Sequence, residues 1–268
     1  VKKTVVSHFY NEEYLLPWWL KHHRAVFDHG IMIDYHSTDR SVEIIKELCP
    51  TWEIRTHVPR DASVDTHNQD FLDSHWIDQE VMSIEHGLDG WRMTLNITEF
   101  LYGNTDHLDD RPEHTQYLIG NYVFVDMEDP GKGPVSLSHD IPLHEQRYWG
   151  YDEFENWGSS HGTIMGRMNR SVHNYPVEYE IGRHFGGGRA KSFDDLVLFY
   201  YGWYSTSEEG IKRKTQIAAE KGGINPHFSD AELHLRLQRD HHQPKSKDLR
   251  QEIAHILEHN RRITGQEF

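Results

Sequence analysis

The sequence predicts an α/β fold: a mainly parallel central sheet flanked by helices, followed by a helical C-terminal annex. Three observations carry that expectation. Strand-like apolar runs alternate with loop and helix patterns three times over about the first 100 residues, as in a parallel sheet covered by helices. The expected carboxyl ends of those strands, where such sheets bind ligands, carry polar clusters: His8 to Glu12, Asp34 to Asp39, and Asn96 to Glu99. From Ser207 the chain turns helical, with Leu249, Ile253 and Ile256 on one stripe of the last helix.

The elements follow in order. Lys3 to Phe9 reads as a short buried strand and Tyr10-Asn11-Glu12-Glu13 as the loop after it. Pro17 suits the first turn of a helix carrying Trp18, Trp19, Leu20 and Val26, with Gly30 as its stop. Ile31 to Tyr35 is a second strand. Ser37, Thr38 and Asp39 offer side-chain caps to a helix from about Arg40 to Leu48, closed by Pro50. Trp52 to His57 is a third strand, and Phe71 to His86 a helix ended by Gly87. Gly90 to Tyr102 reads as a single strand, because Met93, Leu95 and Ile97 alternate with Arg92, Thr94, Asn96 and Thr98. Gln116 to Met127 is another apolar strand, and Met165 to His184 holds shorter ones. With no repeat and no low-complexity linker, one domain is expected over residues 1–215, with 216–268 as its helical annex.

Bulk properties narrow the function. The 268 residues allow a large core. A formal charge of −15 argues against a general binder of nucleic acid or anionic membrane, while leaving room for a local basic cradle. Cys49 is the sole cysteine, so no disulfide forms within these residues and a reducing, cytoplasmic setting is expected. There is no secretory signal and no apolar run near the ~18 residues that span a bilayer. Twenty-two histidines invite a metal reading, but most are expected to be solvated. His255-Ile256-Leu257-Glu258-His259 matches a zinc-peptidase pattern, for which a solvated helix face is the plainer account. The adjacent His22 and His23 should diverge on a helix. Nothing here speaks to oligomeric state.

Four segments in order carry a family resemblance. His8-Phe9-Tyr10-Asn11-Glu12-Glu13-Tyr14-Leu15-Leu16-Pro17-Trp18-Trp19-Leu20-Lys21-His22-His23 resembles the opening of family-two-like glycosyltransferases of the GT-A fold. Asp34-Tyr35-His36-Ser37-Thr38-Asp39 resembles their Asp-x-x-Ser-Thr-Asp, and Trp91 to Phe100 their Trp followed by Asp-x-Asp-Glu-Phe. Phe199 to Glu209, with Lys212 and Lys214, is similar to their C-terminal Lys-containing segment. The resemblance implies a GT-A fold and a nucleotide-sugar donor. It also implies transfer, inverting in similar families, to a sugar or glycan hydroxyl. The alternative is a nucleotide-sugar-binding module with little or no transfer. Carried over by position, Asn11 and Glu12 would approach the base or ribose, Asp34 would accept from either, and Gln69 would reach the sugar or ribose.

The chain departs from the family at the metal motif. Asn96 and Thr98 stand where the resembled motif has its two Asp, so the resemblance implies a strand that still floors the donor pocket but lacks the charges that hold Mn²⁺ or Mg²⁺. Three readings stay open. Cationic side chains could serve the leaving diphosphate, with Arg183-His184-Phe185-Gly186-Gly187-Gly188-Arg189 the preferred segment and Arg147, Arg167 and Lys191 also available. A relocated metal site could use Glu99 and His184, although strand alternation aims Glu99 away from Asn96 and Thr98 unless the strand bends. Or the chain could bind without transferring. Inverting transfer also needs a base, and Asp152 and Glu153 lie among aromatics suited to stack on sugars, with Asp152 the first choice.

Overall fold

In the computed structural model the described residues are 1–59, 74–125, 137–153, 170–180, 182–186, 191–192, 195–202, 212–213 and 240–264. Seven strands form the first sheet: β1 (Lys3–Phe9), β2 (His29–Asp34), β3 (Glu53–Thr56), β4 (Trp91–Thr94), β6 (Gln116–Ile119), β9 (Arg170–His173) and β12 (Lys191–Ser192). Their order is β12-β6-β9-β4-β1-β2-β3. It is mainly parallel, as expected. β1 runs parallel to β2 and β4, β2 to β3 and β6 to β12, while β9 lies antiparallel to β4 and β6. Almost every residue of β1, β2 and β4 is buried, as in strands covered on both faces. The chain steps outward from β1 to β2 and β3, then returns to β4 on the other side of β1. That reversal is the switch point at which open α/β sheets bind ligands.

A second sheet was not legible in the sequence. It contains β5 (Glu99–Gly103), β7 (Asn121–Phe124), β8 (Trp149–Asp152), β13 (Leu196–Tyr200) and β14 (Lys247–Asp248), in the order β14-β8-β7-β13-β5. A further pair joins β10 (Tyr179–Glu180) to β11 (His184–Gly186). The expected single strand over 90–102 is therefore β4 and β5, in different sheets. A turn breaks it, closed by the Glu99 N–H on the Asn96 carbonyl (3.0 Å) and by the Asn96 N–H on Glu99 Oε2 (2.7 Å). The expected strand over 116–127 is likewise β6 and β7, which change sheet at Gly120. Both sheets are buried, so the apolar pattern continues through each crossing.

Helices α1 (Leu16–His23), α2 (Ser41–Leu48) and α3 (Ser74–Glu85) belong to the βα units, and a short α4 (Leu143–Gln146) precedes β8. The N-cap of α2 is Arg40, which makes no side-chain cap bond; instead of the expected cap, Asp39 Oδ1 accepts the Ser41 N–H at 2.9 Å from the turn just before the helix. Gly30 is not a helix stop. α1 ends at His23, and Gly30 lies within β2, where a Cβ would fall 2.1 Å from the Trp52 ring. Of the annex, β14 pairs with β8, Leu249 and Ile253 join the main core, and α5 (Arg250–Thr264) follows. Residues 216–239 and 265–268 lie outside the described residues. No described helix is long and apolar enough to cross a membrane.

Helix α1 ties the two sheets together. The Trp19 indole N–H donates to the carbonyls of Asn96 (3.1 Å) and Glu99 (2.9 Å), holding both ends of the crossing turn. His22 and His23 do not diverge: both reach Leu101. The Leu101 carbonyl accepts from His22 Nε2 (2.6 Å), and the Leu101 N–H donates to His23 Nε2 (3.1 Å). A carbonyl only accepts and an amide only donates, so each ring has a defined neutral tautomer. β5 is an edge strand, and the two imidazoles satisfy backbone groups that no neighbouring strand meets.

These histidines make the fold acid-sensitive. Burial lowers His22 and His144 to about 4 and His23 well below the usual value. Below about pH 6.5 the unfolded chain protonates these rings while the folded chain does not. Stability should therefore be fully present above 6.5 and fall as pH drops toward 4, each ring contributing up to about 1.4 kcal/mol per pH unit. Urea unfolding at pH 7.5, 6.5 and 5.5 should show a falling midpoint below 6.5. A flat profile across that range would contradict the assignment.

Candidate active site

The loops after β1 and β2 are stitched to one another at the switch point. Asn11 is left-handed (φ 51°), and its Oδ1 accepts the Thr38 N–H (2.8 Å) and Asp39 N–H (3.2 Å). Its own N–H donates to Ser37 Oγ at 3.1 Å. Asp34, at the end of β2, accepts the Ser37 N–H at 2.8 Å. Beside it, Tyr35 and His57 stack at 4.1 Å and both donate to Glu80 Oε2 from α3, at 2.6 and 2.9 Å. Glu12 is buried, and its carboxylate is held by both arms of the Arg213 guanidinium.

The turn after β4 belongs to a closed ring of hydrogen bonds. Glu99 accepts from Arg170 Nε (2.8 Å) and Nη2 (2.6 Å), and from the Asn96 N–H and Nδ2 (3.3 Å). Arg170 Nη1 also donates to the Gly182 carbonyl. The Gly182 N–H donates to Asp78 Oδ2 at 2.9 Å, and Asp78 Oδ1 accepts from Arg183 Nη1 at 2.7 Å. Arg183 Nη2 returns to Asn96 Oδ1 at 3.0 Å. Glu99, Arg170, Asp78 and Arg183 are all buried, and their formal charges cancel. Burial raises the Asp78 carboxyl, opposed by the Arg183 charge, and lowers Arg183, reinforced by Arg170.

This arrangement does not fit the divalent cation that the resemblance implies. Asn96 Oδ1 is already an acceptor for a guanidinium, and Thr98 carries no charge. Glu99 is not free to ligate, since the bend turns it back onto Asn96 and four donors from Arg170 and Asn96 occupy its oxygens. Among the described residues no group of three or more His, Cys, Asp or Glu could hold a metal ion.

The second sheet contributes the other carboxylates. Asp152 ends β8, paired with Tyr122, and is half-buried. Glu153 is buried, and its Oε2 accepts from Asn121 Nδ2 at 2.8 Å. Tyr200, at the end of β13, connects the two halves. Its phenol is pushed up by burial and then by the Glu99 charge, with Glu153 adding and Arg170 and Arg213 opposing. Glu153 thus shares a charge environment with the ring around Asn96. A cleft of about 650 Å³ opens alongside, lined in part by Asn11, Glu13, Lys21, Arg40, Lys212 and Arg213. It lies against α1 and α2 rather than over the strand ends, so the site is assigned by its side chains.

Of the residues expected from sequence, Asn11, Glu12, Asn96, Thr98 and Arg183 fall on the turns that follow β1 and β4 or on the turn before β11, and Asp34 is the last residue of β2. Gln69 and Arg189 lie outside the described residues, as does the side chain of His184, whose backbone begins β11. Asp78, Arg170 and Arg213 were missed. Arg213 sits between the two lysines that the family pattern singles out.

The Glu99–Arg170 pair gives a direct test. Glu99→Gln leaves the guanidinium buried without its counter-charge and should destabilise the fold by about 3–5 kcal/mol. Adding Arg170→Met should recover much of that loss, because the orphaned charge is then removed. Chemical denaturation of both singles and the double will check it; additive effects would mean that the pair is not coupled.

No protein-family model matches the chain, and no curated protein matches it by sequence. Solved structures do. The chain is similar to S. aureus TarS 1–349, at 12% identity over 89% of this chain and 71% of that one, with a TM-score of 0.39. It is similar to the same protein in complex with UDP, at 12% identity, 89% and 70% coverage and a TM-score of 0.37. It is also similar to 4-diphosphocytidyl-2C-methyl-D-erythritol synthase, at 8% identity, 88% and 86% coverage and a TM-score of 0.29. At those scores the likeness says nothing about chemistry, which has to come from the site's own residues.

Proposed function

We propose that the chain is a glycosyltransferase that moves a sugar from a nucleotide-sugar donor to a hydroxyl of a sugar or glycan. One observation carries the reading: three polar strand ends, at Asn11 and Glu12, at Asp34, and at Asn96 and Thr98, gather at the switch point of a parallel sheet. They come in the order of the donor-binding motifs that the sequence resembles. In this reading the loop fixed by Asn11 and the carboxylate of Asp34 hold the base and ribose. Gln69 reaches toward the ribose or sugar. The Asn96–Thr98 turn floors the pocket under the diphosphate, with His184 and Arg189 on the diphosphate side.

Transfer is a single displacement with inversion. The acceptor oxygen bonds to the anomeric carbon as the bond from that carbon to the diphosphate oxygen breaks. The bonding pair leaves with the diphosphate, and the hydroxyl proton passes to a carboxylate. Glu153 is the better base of the two candidates: it is buried, oriented by Asn121 and shares the charge environment of the donor turn through Tyr200. Asp152 lies next to it on the acceptor side.

Thermal shift with UDP, GDP and their sugars tests the reading, since a ligand that binds the folded state raises its melting point by mass action. At least one nucleotide should stabilise the protein. Glu153→Gln should then lower transfer or donor hydrolysis by roughly 100-fold or more with nucleotide affinity retained. Equal losses for Asp152→Asn and none for Glu153→Gln would move the base to Asp152. Binding without turnover would favour a nucleotide-sugar-binding module, and no stabilisation by any nucleotide would sink both.

A further inference from the structure

Resting on the transferase reading, we propose that the guanidinium of Arg183 takes the place of the divalent cation and supplies the positive charge that the donor's diphosphate meets.

The position is the first ground. Arg183 Nη2 is 3.0 Å from Asn96 Oδ1, the atom at the first metal-ligand position of the resembled motif. The guanidinium therefore occupies the oxygen that a cation would need. It is held there by construction. Asp78 Oδ1 takes Nη1 at 2.7 Å, and the backbone turn that carries the side chain has two left-handed residues, Gly182 (φ 84°) and Arg183 (φ 62°). A left-handed Arg is strained, and the turn persists because Asp78 grips its N–H and Arg170 its carbonyl.

Charge is the second ground. In a two-carboxylate metal site the acids offset a dication. Here Asn96 and Thr98 are neutral, and the Arg183–Asp78 pair is neutral as well, so the site reaches the same balance with no ion added. A dication placed on Asn96 would instead face a guanidinium that stays protonated. The third ground is an unmade bond. Among the described residues the buried Nε–H of Arg183 has no partner. Buried donors are costly to leave unpaired, and an anionic phosphate oxygen is a strong acceptor for a single charged N–H.

Binding of UDP and GDP to the wild-type protein, measured by calorimetry in EDTA and again in Mn²⁺, tests whether a cation is needed, and variants then test Arg183 itself. The nucleotide that binds should do so with affinities within about threefold in the two conditions. In EDTA, Arg183→Gln should weaken binding by about 10–100-fold, with Arg183→Lys falling between. Because Arg183→Gln strands the buried Asp78, the double variant Asp78→Asn, Arg183→Gln serves as the folded control and should still bind weakly. Binding that requires Mn²⁺, or wild-type affinity in the double variant, overturns the inference and leaves the transferase reading standing. No binding in either condition overturns that reading, and this inference with it.

Discussion

The buried pair of Glu99 and Arg170 is the constraint on which the rest of the molecule depends. The chain leaves the central sheet after β4 and enters the second sheet at β5 within a turn of a few residues. That turn has to carry its own polar backbone through a buried region, where unsatisfied groups are expensive. Glu99 solves this from inside the turn, accepting the Asn96 N–H, while Trp19 covers the turn's two carbonyls. The solution places a carboxylate in the core, and Arg170 from the neighbouring β9 neutralises it. Such a pair gains little over an apolar core in stability. Its value is in geometry: four hydrogen bonds to one carboxylate admit one conformation of the turn, and hence one position for Asn96 and Thr98.

The same logic runs through α1. Apart from His23 Nδ1, which donates to the Trp19 carbonyl within the helix, its two tryptophans and two histidines make their hydrogen bonds to backbone groups of distant segments, at Asn96, Glu99, Leu101, Ser138 and Ile141. The helix begins on the Glu12 carbonyl, so the element that fixes the crossing turn also fixes the loop that carries Asn11 and Glu12. Site and scaffold are one set of contacts. The apolar bodies of these side chains fill the core between the sheets while their polar edges close the ladder that β5 leaves open.

Local order was legible in the sequence. β1 is read correctly to its ends, α2 nearly so, and the polar clusters do sit at the strand ends. What escaped is whatever depends on partners far along the chain. Alternation from Met93 to Ile97 continues through a change of sheet, because both sheets are buried and a period of two does not say which one a residue faces. Asp78, Arg170 and Arg213 have nothing in their neighbourhoods to mark them; each gains meaning only from its partner, Arg183, Glu99 or Glu12, more than seventy positions away in every case. The rule that adjacent helical histidines diverge fails at His22 and His23 because they end the helix against one strand residue that offers both a donor and an acceptor.

The lettering of the turn follows from this ring. With Asn at position 96, two carboxylates face two guanidiniums, and the amide both donates to Glu99 and accepts from Arg183. An Asp there would accept from Arg183 equally well, but it could not donate to Glu99. It would also bring a third carboxylate, half-buried, beside two buried guanidiniums, and a charge taken partly out of water without compensation is costly. Restoring that balance would take an added cation, as in a metal-dependent site. Asn96 and Arg183 are thus two halves of one choice: a neutral residue that bridges the ring, and a fixed positive charge that the bridge holds in place.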